Sequence, residues 1–178
     1  MRISGALTGV DHHQFYLDAN VDDFFPEYPM GQDACGLVAA VPSGGAICVT
    51  TGIATGTVAL TIDLLDAPPA QIDASEPWEV IGQSSFRATA ETASIFLLMD
   101  WPPKPFDALE LPAGAGWYAV RAHAIGRALD YDLVVPDPFD PNPGDPRERH
   151  LLQVWPTPAP SEDAVLLRDE PWARQGTG

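Results

Sequence analysis

The sequence predicts an all-β fold, a single-domain β-sandwich of about eight to ten short, mostly antiparallel strands. Three observations carry this expectation. Period-two alternation of apolar and polar residues recurs along the chain, Gly and Pro punctuate it at short intervals, and no alternation of strand and helix patterns of the doubly wound kind is visible. A chain of 178 residues with 46% hydrophobic content has enough apolar side chain for one core without metal or disulfide staples.

Taken in chain order, His13 to Asp18 and Cys35 to Val41 are the first candidate strands. A turn at Pro42-Ser43-Gly44-Gly45 leads into Ala46 to Thr51. If Ser43-Gly44 centres a hairpin, opposed positions sum to 87, which sets Cys48 against Ala39 and Cys35 against Gly52. That register places the two cysteines apart, so reduced thiols are expected. Gly52-Ile53-Ala54-Thr55-Gly56 reads as a turn into the clearest strand, Thr57 to Leu64. There Val58, Leu60, Ile62 and Leu64 line one face, and Thr57, Ala59, Thr61 and Asp63 line the other.

Later candidates are Trp78 to Phe86, Ser94 to Met99, Trp117 to His123, Leu151 to Trp155 and Val165 to Arg168. Between Arg121 and Leu129 an Ala-rich run invites a helix. Trp117-Tyr118 favours β and Gly126 weakens a helix, so a strand ending near Ala124 is expected. Asp130 to Arg149 holds five prolines, and its five aspartates precede its first basic residue, Arg147. Proline has no N–H to donate to a ladder, so residues 130–149 read as a long acidic loop and 169–178 as a flexible tail.

The formal net charge is −16, from 25 acidic residues against 9 basic ones. Such a field repels nucleic acid and anionic membrane and favours a basic partner. No run reaches the ~18 apolar residues of a membrane span, and the first ten residues meet Asp11 before a signal-peptide core forms, so a cytoplasmic location is expected.

Reactive motifs are incomplete. Adjacent His12 and His13 would point to opposite faces of a strand, and His123 and His150 lie far off without HExxH or Cys-pair spacing. Gly82-Gln83-Ser84-Ser85-Phe86 lacks the second glycine of a nucleophile elbow, and Gly52-x-x-x-Gly56 is not followed by Lys-Ser/Thr. Asp137, Asp140, Asn142 and Asp145 do not match the calcium-loop spacing. No catalytic residue, metal or cofactor is therefore expected. The five tryptophans leave a carbohydrate or small-molecule site open as an alternative, with Trp101 and Trp172 expected to be exposed, and a metal enzyme with dispersed ligands is a further alternative.

Several short segments resemble the competence protein J family, bacterial inhibitors of a DNA-entry nuclease. They are His13-Gln14-Phe15-Tyr16, Trp78-Glu79-Val80 leading to Ser85-Phe86, and Phe106-x-x-Leu109-x-Leu111-Pro112-x-Gly114 before Trp117-Tyr118-Ala119-Val120-Arg121. The ending Leu151-Leu152-Gln153-Val154-Trp155-Pro156 also resembles one found in uncharacterised bacterial proteins of this type. The likeness spans roughly residues 10 to 156, and the Asp- and Pro-rich segment departs from it as an insertion. The resemblance implies stoichiometric inhibition of a nuclease, so the partner expected is a basic protein such as a nuclease or toxin. Basic clefts that grip phosphate backbones attract acidic surfaces, so Asp130, Asp132, Asp137, Asp140 and Asp145 are the first candidate contacts. Asp22, Asp23, Glu27 and Trp101 are the second set; Asp18 lies beside them.

Overall fold

The computed structural model describes residues 1–20, 36–98, 105–135 and 144–169. These residues form eleven strands and no helix. In chain order they are β1 (Arg2–Val10), β2 (Gln14–Asp18), β3 (Val38–Ala40), β4 (Ala46–Thr50), β5 (Gly56–Leu64) and β6 (Val80–Ala88). There follow β7 (Thr92–Phe96), β8 (Leu109–Glu110), β9 (Gly116–Ile125), β10 (Arg149–Thr157) and β11 (Ala164–Arg168). The count exceeds the expected eight to ten because β1 and the two-residue β8 carry no clean alternation. Arg2 to Val10 is interrupted by Ser4, Gly5 and Gly9.

Two sheets result, a six-stranded one in the order β1-β5-β10-β9-β6-β11 and a five-stranded one in the order β3-β4-β2-β7-β8. All pairings are antiparallel except β5 with β10. One apolar cluster draws on both sheets. Phe15, Leu17, Ile47, Val49 and Ile95 come from the smaller sheet, and Val58, Leu60, Ile62, Phe86, Tyr118, Leu152 and Val154 from the larger. Burying this many branched and aromatic side chains, at roughly 1.5–3 kcal/mol each, is the main force holding the sheets together.

The β3–β4 hairpin adopts the expected register, with Ala39 opposite Cys48 and Val38 opposite Val49. β5 buries Val58, Leu60, Ile62 and Leu64 as its alternation requires. The chain continues as strand to Ile125 with no helix between Arg121 and Leu129. The family-like residues Phe106, Leu109 and Leu111 lie in the core, and the Tyr118 hydroxyl clamps the following turn. It donates to the Gly114 carbonyl at 2.8 Å and accepts from the Ala113 amide at 3.0 Å.

Two expectations are corrected. Residues 52–56 do not fold β4 back onto β5, since the two strands lie in different sheets; the segment is a crossover. His12 and His13 are not strand residues with opposed faces. Both have positive φ, 53° and 59°, and form the tight turn between β1 and β2.

Candidate functional site

The crossover at residues 51–55 is where chemistry-bearing groups converge. Glu148, just ahead of β10, is 1% exposed. Its carboxylate accepts from the Gly52 amide at 2.9 and 3.1 Å, from the Ile53 amide at 3.0 Å and from His150 Nε2 at 2.7 Å. Burial alone would raise the carboxyl pKa. The His150 hydrogen bond and charge, with the two amides, overrule it and hold the group below its ordinary value. His150 is itself buried, edge-on to Phe15 with ring centroids 5.6 Å apart. The sequence Arg147-Glu148-Arg149-His150 reads as a solvated charge run, which is why Glu148 escaped notice. Its one legible signal is the i, i+2 spacing of Glu148 and His150, which sets both on one face of an extended chain.

A second anchor lies at Asp11. It accepts from the Thr55 hydroxyl at 2.7 Å and lies 2.7 Å from His12 Nδ1. Burial would raise its pKa, but these two partners bring the net shift downward.

Onto this fixed crossover docks the loop at 127–135. The Asp132 amide donates to the Gly52 carbonyl, the Leu133 carbonyl accepts from the Ala54 and Thr55 amides, and the Val135 amide donates to the Thr55 carbonyl, all within 3.0–3.1 Å. The backbones approach so closely that a Cβ on Gly52 would lie 1.9 Å from the Arg127 carbonyl oxygen. His13 joins the same contact, with Nδ1 3.0 Å from the Gly52 carbonyl, Nε2 3.2 Å from Asp132, and its ring 5.8 Å from that of Tyr131.

Held by its backbone, the loop turns four large apolar side chains to solvent, while Arg127 stays buried and Val135 packs against the core. Leu129, Tyr131, Leu133 and Val134 are 59, 64, 43 and 63% exposed, a row of large apolar groups on a strongly acidic molecule. Exposed large apolar side chains this close in sequence, with a tyrosine among them, are how protein-binding surfaces present their anchors.

The candidate acids fall differently around this ridge. Asp132 stands beside Tyr131 with its side chain 75% exposed and φ at 64°. Asp130 is half-buried and its charge is met by Arg147, which donates to it through Nε at 3.0 Å and through Nη2. Asp145 is exposed. Asp22, Asp23, Glu27, Asp137, Asp140 and Trp101, like Trp172, lie outside the described residues. Asp18 is bound to Asn20 at the end of β2. The apolar members of the ridge were missed because attention to aspartate and proline hid Leu129, Tyr131, Leu133 and Val134 between them. Among the described residues no three His, Cys, Asp or Glu side chains gather as metal ligands, and no helix is long and apolar enough to cross a membrane.

No family model matches the sequence, and no curated protein matches it. A solved structure does. It is that of ComJ from Bacillus subtilis, described as the inhibitor of the DNA-degrading activity of NucA, with a TM-score of 0.54 over 87% of this chain and 96% of that one. The fold is similar to that of ComJ. Sequence identity is 17%, so the likeness to ComJ, like the short motifs that pointed to its family, is a statement about fold. The product of crocagin biosynthetic gene J matches more loosely, with a TM-score of 0.44 and 9% identity over 88% of this chain and 98% of that one.

Proposed function

We propose that this chain is a non-catalytic acidic inhibitor of immunity type, acting in the cytoplasm, and that it occupies the basic cleft of a nuclease. The observation that carries the reading is the 129–134 ridge, an apolar row with a tyrosine, flanked by acid and locked from below by a buried carboxylate. The chain is read as a single β-sandwich domain, and the fold shared with an inhibitor of DNA degradation supports the role. Internal ion pairing cannot cancel the field. The 9 basic residues can neutralise at most 9 of the 25 acids one for one, and 25 minus 9 leaves the net −16. In this reading Leu129, Tyr131, Leu133 and Val134 supply affinity, while Asp132 and Asp145 on the rim speed the encounter.

The test is titration of the full-length chain against a basic DNA-degrading nuclease from the same cell, following DNA cleavage. Inhibition should be complete at one equivalent and should weaken as salt rises from about 0.05 to about 0.3 M, because the screening length shrinks to several ångströms. Replacing Tyr131 and Leu133 together by Ala should weaken inhibition at least ~30-fold, the factor that a ~2 kcal/mol anchor represents. Cleavage of DNA by the chain alone, or inhibition indifferent to both salt and the double substitution, would refute the proposal.

A further inference from the structure

The outward face of the six-stranded sheet carries a second feature that shares no residue with the ridge. Register aligns Arg2, Asp63, Gln153, Arg121 and Gln83 in one row across five strands, and Ser4, Thr61, Leu151 and His123 in the next. Beside these rows the connection between β5 and β6 brings up Asp73, Ser75, Glu76 and Trp78. Between them lies a half-open cavity of ≈ 150 Å³ lined by Arg2, Ser4, Thr61, Glu76, Trp78 and Arg149, among others.

The walls are fixed. Asp73 accepts from the Ser75 amide at 2.9 Å, from the Ser75 hydroxyl and from the Trp78 indole N–H at 3.3 Å, which sets the indole plane. Trp78 also rests on His123, ring centroids 5.4 Å apart. Arg2 makes a two-pronged bond to Asp63 at 2.7 and 2.8 Å, and Arg149 Nη2 donates to Glu76 at 3.1 Å. Of the residues that line the cavity, Arg149 and His150 each keep one buried nitrogen, Nε and Nδ1, without a hydrogen-bond partner.

We infer that the cavity is a binding site for a neutral polyhydroxylated molecule of monosaccharide size, seated with its C–H face against Trp78. The charges decide the class. Arg2 and Arg149 are already matched by Asp63 and Glu76, with Asp73 close by, so the site attracts neither anion nor cation strongly. What remains is guanidinium donors beside carboxylate acceptors. Vicinal hydroxyls, each both donor and acceptor, complement that pairing, and the apolar side of a sugar ring complements an indole. The volume is well below the ~300 Å³ of sites for larger ligands.

The test follows the Trp78 indole N–H by nuclear magnetic resonance in the full-length chain, assigned by its disappearance in Trp78→Phe. Glucose, galactose, mannose and N-acetylglucosamine are titrated to about 50 mM, a range that reaches affinities weaker than 1 mM. Inorganic phosphate serves as the anionic control. At least one sugar should shift the resonance saturably, and affinity should fall ten-fold or more in Arg149→Gln and in Glu76→Gln. The other indole resonances, unmoved, show that these variants fold. No saturable shift with any sugar, a response to phosphate alone, or a shift that survives in both variants would overturn the assignment.

Discussion

Glu148 offers the sharpest test of how the candidate surface is held. Glu148→Ala strands three donors at once: the amides of Gly52 and Ile53 and the Nε2–H of His150. At about 1–3 kcal/mol per unsatisfied buried donor the sum is roughly 3–9 kcal/mol, and relaxation of the crossover toward water keeps the loss near the lower end, about 4 kcal/mol. For a chain of this size each kcal/mol moves Tm by about 2–4 °C, which gives a drop of about 8–16 °C. Glu148→Gln keeps an acceptor but turns an NH₂ toward another donor, and should lose about 2 kcal/mol.

The pH dependence has a definite sign. Because the folded carboxyl sits below its ordinary value of 4.5, its contribution is fully present above that value and disappears as pH falls through the folded one. Urea denaturation at pH 7 and at about pH 3.5 should therefore show the wild type losing more stability on acidification than Glu148→Gln does. Hydrogen exchange should show the Gly52 and Ile53 amides deprotected in Glu148→Ala. A Tm change within 2 °C of wild type, by the ~2–4 °C per kcal/mol conversion, would mean that the carboxylate does not carry the crossover.

Three further outcomes follow from the same geometry. Gly52→Ala places a methyl 1.9 Å from the Arg127 carbonyl oxygen and should cost about 1–3 kcal/mol, read as a lower urea midpoint together with weaker nuclease inhibition as the ridge is pushed away. Tyr118→Phe removes both clamps on the turn at residues 113 and 114 and should cost about 1–2 kcal/mol by the same denaturation assay. Asp132→Asn keeps a residue that tolerates the φ of 64° and should leave Tm unchanged, while stopped-flow mixing shows slower association and a shallower salt dependence.

Much of the fold was legible because alternation is a local property. Val58, Leu60, Ile62 and Leu64 announce β5 without knowledge of any neighbour, and the Pro42–Gly45 turn sets the Cys48–Ala39 register by counting alone. Sheet membership is not local. Gly52 to Gly56 has the residues of a hairpin turn, and only the packing of the core sends β5 into the other sheet. β1 was hidden for a related reason, since Gly5 and Gly9 blur its pattern while β5 supplies the ladder that keeps it extended. The site was less legible than the fold. Asp132 was read from charge, but Glu148 looks like surface beside Arg147 and Arg149, and its burial arises only when the crossover amides arrive from nearly a hundred residues earlier.

The order of strands also bears on how the chain comes to be folded. β10 lies between β5 and β9 inside the larger sheet, so two earlier strands remain unjoined until a later one is inserted between them. During synthesis the first 148 residues leave open ladder edges on both sides of that gap. Such edges invite pairing with other chains, and closing them requires contacts far apart in sequence. A fragment that stops ahead of β10 should therefore be an aggregation hazard rather than a smaller version of the fold.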